Sequence, residues 1–213
     1  MSGSLRILIV DDHPVVRQGL KQTLADASEI GEIVEAATPH EALDLVRQRE
    51  WDAVILDIGL PGRGGLEVLK DIKQEAPRLP VLILSMHAEE QYAVRAIRAG
   101  AAGYLTKEAA TEKLVDVVRK VVSGGRYISP ELAERLATEL TADVTRPLHA
   151  SLSDREFAVL RLIASGQTVG DIADRLSLSV KTVSTYRARI LEKMRLKNNA
   201  ELMQYVLTNH LLD

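Results

Sequence analysis

Short apolar segments alternate with amphipathic segments five times over the first 125 residues of this chain. The apolar segments are rich in β-branched residues, which favours buried strands, and the amphipathic segments repeat apolar residues at helical spacing. A chain that alternates strand and helix in this way folds as a parallel sheet with helices on both faces and right-handed crossovers. The predicted strands are 5–10, 33–35, 53–56, 81–84 and 103–105, and the predicted helices are 14–27, 39–49, 65–75, 89–99 and 111–122.

The segment 151–213 repeats apolar residues at helical spacing only. Ser153 and Glu156 form a capping-box pattern that opens the first of four predicted helices. The third helix, 180–194, is basic and follows a short turn, and Asn199 is predicted to cap the fourth. The predicted organisation is therefore an α/β domain with a doubly wound five-stranded parallel sheet at 1–125, a partly helical linker at 126–150, and an all-α four-helix helix-turn-helix domain at 151–213.

The composition excludes several classes of protein. The chain has no cysteine, which excludes disulfide frameworks, thiolate zinc sites and cysteine nucleophiles. No apolar run approaches the roughly 18 residues that cross a bilayer, and the N-terminal apolar run is too short for a signal peptide. We therefore expect a cytoplasmic protein with no membrane partner. The net charge of −3 divides into −4 over residues 1–125, −1 over 126–150 and +2 over 151–213, which indicates two different roles in one chain.

Polar residues follow four of the predicted strands, at the ends where ligands bind in sheets of this kind. Asp11 and Asp12 follow the first strand, Asp57 the third, Ser85 the fourth and Lys107 the fifth. Three converging carboxylates repel one another unless a cation joins them, and Mg²⁺ is a cation that prefers oxygen ligands. A carboxylate nucleophile, a metal, and Lys and Ser donors are the groups that phosphoryl transfer requires.

The segment 5–122 resembles the receiver domain of two-component response regulators, which has a flavodoxin-like fold. The motifs that carry the resemblance are Ile9-Val10-Asp11-Asp12-His13-Pro14, Leu56-Asp57-Ile58-Gly59-Leu60-Pro61, Leu84-Ser85 and Gly103-Tyr104-Leu105-Thr106-Lys107. The resemblance implies that Asp57 accepts a phosphoryl group from a sensor histidine kinase. It also implies that Mg²⁺ is held by Asp11, Asp12, Asp57 and the backbone carbonyl of Gly59. Ser85 and Lys107 are then expected to bind the phosphoryl oxygens, and Tyr104 to turn inward on activation.

The segment 151–213 resembles the LuxR-type helix-turn-helix domain. The motifs are Leu152-Ser153-Asp154-Arg155-Glu156, Ile172-Ala173 and Ser179-Val180-Lys181-Thr182-Val183. With the receiver in front of it, the chain resembles NarL/FixJ-type response regulators, and 180–194 is then the recognition helix. The expected DNA contacts are Lys181, Thr182, Ser184, Thr185, Arg187, Arg189 and Lys193, of which Lys181, Ser184 and Thr185 are expected to read bases. The last helix is expected to pair two subunits through Leu202, Tyr205 and Val206.

These features predict a sequence-specific transcription regulator that is switched by phosphorylation and dimerises on activation. Its expected partners are a sensor histidine kinase, double-stranded promoter DNA, a second copy of the chain and RNA polymerase. An enzyme with an aspartyl-phosphate intermediate is disfavoured, because common phosphohydrolases of that type carry a second Asp where Gly59 stands here. A DNA-binding protein that needs no phosphorylation is disfavoured as well, because such proteins usually lose pocket residues that are all present here.

The histidines are harder to interpret from the sequence. The five of them show no metal-ligand spacing, so imidazole ligands are not predicted. His87 lies two residues after Ser85, where it could modulate the access of water to phosphorylated Asp57. An exposed loop histidine without a role is an equally good interpretation.

Overall fold

The computed structural model describes residues 4–61, 64–86, 90–130, 132–134, 147–209 and 211–212. The chain divides into two compact units, Met1–Glu139 and Leu140–Asp213. His87 lies outside the described residues, so its role stays a prediction. Within the part that the structure describes, no helix has both the length and the apolar character needed to cross a membrane.

The first unit is built on a five-stranded sheet in which every paired strand is parallel, with the order β2-β1-β3-β4-β5. This confirms the predicted α/β class and the doubly wound order, since the chain moves outward from β1 in both directions. The strands are β1 (Leu5–Val10), β2 (Ile30–Ala36), β3 (Ala53–Asp57), β4 (Val81–Ser85) and β5 (Gly103–Thr106). The helices are α1 (Pro14–Ala25), α2 (Pro39–Gln48), α3 (Gly65–Glu75), α4 (Glu90–Arg98) and α5 (Lys107–Val122).

Side chains on the two faces of the sheet form two separate hydrophobic layers. Leu8 and Leu56 face a layer that contains buried residues of α2, α3 and α4. Ile7 and Ile55 face the opposite layer, with buried residues of α1 and α5. Because both faces are covered, the central strands are apolar along their whole length, which is why they are visible in the sequence as short continuous runs.

In the first unit, β2 and α5 differ most from the sequence prediction in their bounds, while the other elements differ by two residues or fewer at each end. Strand β2 is longer than predicted, because it is an edge strand whose charged residues break the apolar run. Its Glu32 and Glu35 form ion pairs with Arg49 and Arg17 respectively. Helix α5 begins at Lys107, four residues earlier than predicted, because the Thr106 side chain accepts a hydrogen bond from the backbone N–H of Ala109 and caps the helix.

Part of the predicted linker packs with the first unit. Tyr127 forms an isolated parallel bridge with Gly103, and Leu132 is buried in the hydrophobic layer that contains Leu8. Residues 130 and 132–134 are helical. The chain therefore stays attached to the first unit for several residues beyond position 125.

The second unit is helical throughout its described secondary structure. A short 3-10 helix (Leu148–Ser151) precedes α6 (Asp154–Ala164), α7 (Val169–Leu176), α8 (Val180–Lys193) and α9 (Asn199–Thr208). The predicted capping box of Ser153 and Glu156 is confirmed at the start of α6. The predicted cap of the last helix is wrong by one residue, because Asn198 and not Asn199 accepts the hydrogen bond from the Glu201 backbone N–H.

Gly65, the first residue of α3, lies against the backbone at the end of β3, and its substitution tests whether this close approach is required for the fold. A Cβ atom at Gly65 would lie 2.3 Å from the Asp57 carbonyl oxygen and 2.6 Å from Ile58 Cα, so the backbone would have to move. We expect Gly65→Ala to lower the free energy of unfolding of the first unit by about 1–3 kcal/mol. Urea unfolding followed by the fluorescence of Trp51, the single tryptophan, measures this directly.

The matched control is Gly19→Ala. Gly19 is exposed in the interior of α1, and nothing lies within 4 Å of its added Cβ. Alanine should raise the stability there by about 0.5–1 kcal/mol, because it restricts the unfolded chain and favours helix. Equal effects of the two substitutions would show that the close approach at Gly65 does not constrain the fold.

Candidate functional site

The carboxyl ends of neighbouring strands bring the predicted pocket residues together. Asp11 follows β1, Asp57 is the last residue of β3, and Ser85 is the last residue of β4. In the strand ladders Asp57 is the partner of Leu84, one residue before Ser85. All three side chains belong to buried residues, with Ser85 fully buried. A parallel sheet thus delivers polar groups from distant parts of the sequence to one edge, as the spacing predicts.

Lys107 joins two of the carboxylates. Its Nζ atom donates a hydrogen bond to Asp11 Oδ2 at 2.6 Å and lies 3.1 Å from Asp57 Oδ2. Burial disfavours the charged ammonium, but the Asp11 hydrogen bond and the two negative charges outweigh it and raise the pKa of Lys107. Burial also raises the pKa of Asp57, and the nearby Asp11 charge adds to this, while Lys107 acts in the opposite direction. The pocket therefore holds more negative charge than Lys107 alone neutralises.

The donor set at the pocket fits a divalent cation. One ligand atom from each of Asp11, Asp12, His13 and Asp57 lies within 4.8 Å of the others. Asp12 Oδ1 is buried and accepts no hydrogen bond from the described residues, although His13 Nδ1 is 3.0 Å away. A buried carboxylate oxygen without a donor is costly, and a hard cation would satisfy it. The imidazole in this cluster is not predicted by the sequence.

Backbone groups hold the pocket carboxylates in place. The N–H of Gly59 donates to Asp57 Oδ1 at 3.1 Å, and the N–H of His13 donates to Asp11 Oδ1 at 2.8 Å. Gly59 thus lies against Asp57, where the sequence places it. Tyr104 is 6% exposed and is packed in a hydrophobic layer of the sheet, so its ring lies inward in this structure.

Arg17 is a supporting residue of the pocket that the sequence motifs do not reveal. Arg17 Nη1 donates to the backbone carbonyl of Asp11 at 2.7 Å, and its Nε donates to Glu35 Oε2 at 3.2 Å. The Lys21 hydrogen bond is the largest cause of the lowered pKa of Glu35, and Arg17 adds to it. The available signal was positional, since Arg17 lies one turn into α1 and Glu35 near the end of the neighbouring β2. This positional signal was too weak to distinguish Arg17 and Glu35 from ordinary charged residues on the surface.

The predicted recognition helix is α8, which carries most of its polar side chains on an exposed face. Lys181, Ser184, Thr185 and Arg189 are exposed, and Val183 and Ile190 are buried on the other side. The hydroxyls of Ser184 and Thr185 donate to carbonyls one turn earlier in the helix, at 2.9 Å each. The remaining predicted contact near the N-terminus, Thr182, lies within 2.7 Å of the capping Ser179 hydroxyl.

Two of the basic residues predicted to contact DNA have side-chain partners on other helices of the second unit. Lys193 Nζ donates to Glu156 Oε2 at 2.6 Å, and the Glu156 side chain is only 3% exposed. Arg187 Nε donates to Asn199 Oδ1 at 2.6 Å, which connects α8 to the start of α9. Burial opposes ionisation of Glu156, but hydrogen bonds from Lys193 and Ser153 outweigh it and lower the pKa of Glu156. These two basic residues therefore have a structural task that their sequence positions do not reveal.

The predicted dimerisation residues need a correction. Leu202 and Val206 are fully buried in the second unit, so neither side chain is available to a second copy of the chain. The Tyr205 hydroxyl lies 2.9 Å from His149 Nδ1, and Tyr205 is half-buried. The large apolar residues exposed on α9 are Met203, at 37% exposure, and Leu207, at 60%. The apolar pattern of this helix is read correctly from the sequence, but its stripe faces the core of its own domain.

Comparisons with known proteins agree with both halves of this description. Residues 7–119 match the response regulator receiver domain, and residues 150–206 match the bacterial regulatory proteins of the luxR family. The response regulator UvrY of Escherichia coli is 36% identical over 199 residues, covering 93% of this chain and 91% of that protein. The response regulator GacA of Pseudomonas aeruginosa is 36% identical over 210 residues, covering 98% of each.

A solved structure extends the comparison to the fold. It is RcsB from Salmonella enterica serovar Typhimurium, bound to a promoter in the presence of the phosphomimetic BeF3−. The TM-score is 0.60 at 26% identity, and the match covers 96% of this chain and 98% of that one.

The Glu156–Lys193 pair predicts how the second unit responds to pH. Because the pKa of Glu156 is lowered on folding, the pair stabilises the unit above the ordinary Glu pKa, and this stability is lost as the pH falls through the folded-state value. We expect Glu156→Gln to cost about 1–3 kcal/mol at neutral pH and to flatten the loss at acidic pH. Thermal unfolding followed by circular dichroism measures the loss of helix in both units. Trp51 fluorescence reports the unfolding of the first unit alone, so the two signals together identify the transition of the second unit.

Glu192→Gln is the control for this experiment. Glu192 is exposed on α8, so the same change of charge should leave the unfolding of the second unit within about 0.5 kcal/mol of the wild type. A similar acid profile for the two variants would contradict the role given to Glu156.

Proposed function

Since this chain belongs to the two-component response regulators that join a receiver domain to a LuxR-type DNA-binding domain, we propose that Asp57 is the phosphoacceptor that controls its binding to DNA. DNA-binding regulation of transcription is the function of the chain, and phosphorylation of Asp57 would switch it. The observation that supports it is the buried Asp57 carboxylate within 3.1 Å of Lys107, beside a second acidic pair. Both partners, a sensor histidine kinase and promoter DNA, would be met in the cytoplasm.

The proposed transfer uses one carboxylate oxygen of Asp57 as the nucleophile. This oxygen attacks the phosphorus of a phosphohistidine on the kinase, an O–P bond forms, and the P–N bond breaks with its electron pair returning to the imidazole. Asp11, Asp12, Asp57 and the carbonyl of Gly59 would hold Mg²⁺, and His13 lies beside them. When bound, the metal supplies positive charge that offsets the phosphoryl oxygens. The Ser85 hydroxyl would donate to one of these oxygens.

The charge balance around Lys107 supports a switch. In the structure Lys107 contacts two carboxylates, Asp11 and Asp57. A phosphoryl group on Asp57 adds oxygens that compete for the same ammonium, so Lys107 would leave Asp11 and β5 would move with it. Ser85 on β4 and Tyr104 on β5 would move in response, and their movement would change the surface of the receiver near these strands. The activated receiver would then favour a dimer on DNA, where contact with RNA polymerase stays a prediction.

The decisive experiment compares the wild type with Asp57→Asn. Each protein is incubated with Mg²⁺ and acetyl phosphate, and intact mass and binding to DNA are measured on the same samples. The DNA is a fragment selected from a random pool by the phosphorylated wild type. We expect only the wild type to gain a phosphoryl group and about tenfold or more in affinity, because only it has the acceptor oxygen.

Asp116→Asn is the matched control, because this substitution removes the same charge at a side chain that is 80% exposed on α5. It should be phosphorylated and bind DNA like the wild type. Equal DNA binding of the wild type and Asp57→Asn, with and without acetyl phosphate, would reject the switch and favour a DNA-binding protein that needs no phosphorylation.

We propose a revised division of the basic residues of α8. Lys181, Ser184 and Thr185 would reach base edges from the first turns, and Thr182 and Arg189 would contact the backbone of the DNA. Arg187 and Lys193 would mainly hold the recognition helix against Asn199 and Glu156. A net charge of +2 over residues 151–213 supports only weak binding to one half-site, so two copies on paired half-sites are needed.

The surface through which the DNA-binding domains would pair is the exposed side of α9. Met203 and Leu207 are four residues apart and so lie on one face of the helix. We expect α9 of a second copy of the chain to pack on Met203 and Leu207, because two DNA-binding domains on paired half-sites would lie side by side. We expect Leu207→Glu to reduce the affinity of the phosphorylated protein for a two-half-site DNA at least about tenfold, because a charge would be buried at the interface. Fluorescence anisotropy measures this.

The control is Gln204→Glu, which adds a negative charge at an exposed position of the same helix. It should bind the two-half-site DNA nearly like the wild type. Both variants should keep the affinity of the wild type for a single half-site. A loss on the single half-site for Leu207→Glu would mean that the substitution damages the domain and not a dimer contact.

A further inference from the structure

A second charged cleft lies at the end of the sheet opposite the phosphorylation pocket. Its volume is about 200 Å³, and it is lined by the end of α3, the loops before β4 and β5, and the residues after α5. Its charged lining residues are Lys73, Arg78 and Arg126, and no acidic residue lines it. The backbone of Gly100, Gly124 and Gly125 forms much of the remaining wall.

The two arginines of this cleft lack partners in the described part of the protein. Neither the Arg78 nor the Arg126 side chain forms an ion pair or hydrogen bond with any described residue, and both residues are exposed. This is unusual on this domain, where Arg17, Arg47, Arg49 and Arg119 each contact a carboxylate. The guanidinium groups at the cleft are therefore free to bind a ligand.

Lys73 brings a third positive charge to the same cleft. Its Nζ atom donates to the Leu79 carbonyl at 2.6 Å and lies 3.5 Å from that of Pro77, while its stem passes 3.5–3.7 Å from the position of a Gly100 Cβ. Both Lys73 and Arg126 line the cleft. Burial lowers the pKa of Lys73, and repulsion from Arg126 lowers it further. The hydrogen bond to Leu79 holds the Lys73 ammonium at the cleft.

Helix dipoles account for only part of this charge. The C-termini of α3 and α5 lie at this end of the sheet, and each carries roughly half a negative charge. Three full positive charges exceed that by about two, and no carboxylate at the cleft makes up the difference. An anion with more than one negative charge would remove the repulsion between the cations, and arginine binds phosphate through paired N–H donors while lysine acts as a point charge.

We propose that this cleft binds a small oligophosphate anion, such as the phosphate groups of a nucleotide or pyrophosphate. The site is separate from Asp57 and does not depend on the phosphoacceptor role proposed above. A bound anion would bridge Arg126, directly after α5, to Arg78 before β4. It would thereby hold residues 124–126, which lead into the segment connecting the two domains, against the loop before β4.

The test is an NMR titration of the full chain with pyrophosphate at constant ionic strength, without Mg²⁺. The amide signals of Gly100, Gly124 and Gly125 report the cleft, and the amide of Gly59 reports the phosphorylation pocket. We expect saturable shifts of the three cleft glycines. Arg126→Gln should weaken the apparent affinity by about tenfold, because it removes one bidentate donor. Lys113→Gln, which removes an exposed charge elsewhere on the first unit, should titrate like the wild type.

Several outcomes would overturn the proposal. Shifts at Gly59 with no shifts at the cleft glycines would assign the anion to the phosphorylation pocket. An Arg126→Gln titration identical to that of the wild type would show general charge attraction. Tighter binding of an oligo-glutamate peptide than of pyrophosphate, with shifts at the same glycines, would show that the cleft selects an acidic protein segment. An absence of saturable shifts would exclude a site.

Discussion

The receiver pocket depends on the contacts between Lys107 and the carboxylates of Asp11 and Asp57. Lys107 and Asp11 are 96 residues apart in the chain, and their hydrogen bond connects the start of α5 to the end of β1. Without this ammonium, two buried carboxylates would face each other in a site that excludes most water, which is costly. Because a single ammonium neutralises two carboxylates, a change of charge on either carboxylate alters how strongly Lys107 is held by the other. In the proposed switch, a phosphoryl group on Asp57 would compete for this ammonium, and the strands around the pocket would move in response.

The same rule, that a buried charge needs a partner, organises the second domain. Glu156 is buried at the start of α6, and Lys193 at the end of α8 neutralises it. The pair joins the end of α8, the predicted recognition helix, to the start of α6, and Lys181 and Arg189 lie on the exposed side of α8. The basic side chains of α8 therefore fall into two groups, those that hold the helix against neighbouring helices and those that are exposed on its outer face. Only their partners distinguish them.

Patterns of apolar residues predicted most of the fold, because burial on one or both faces imposes a period that the sequence must carry. Strands β1, β3 and β4 were visible as apolar runs, and the capping box at Ser153 was visible as a pair of residues. The limits of β2 were missed, because an edge strand is half-covered and tolerates Glu32 and Glu35. The start of α5 was missed, because the helix begins with the charged residues Lys107 and Glu108 and the apolar residues that follow them, Ala109 and Ala110, are too small to mark a helical face.

The sequence by itself determined the order of strands and helices, the two-domain organisation, and which polar residues meet at the carboxyl edge of the sheet, because these follow from periodicity and from the geometry of parallel strands. Only the tertiary structure decided how individual side chains are used. It placed Leu202 and Val206 in the core and left Leu207 exposed, joined Lys193 to Glu156, and gathered Lys73, Arg78 and Arg126 at one cleft. The physical reason is that these outcomes depend on contacts between residues distant in the chain, and no local pattern records which partner a charge or an apolar face will find.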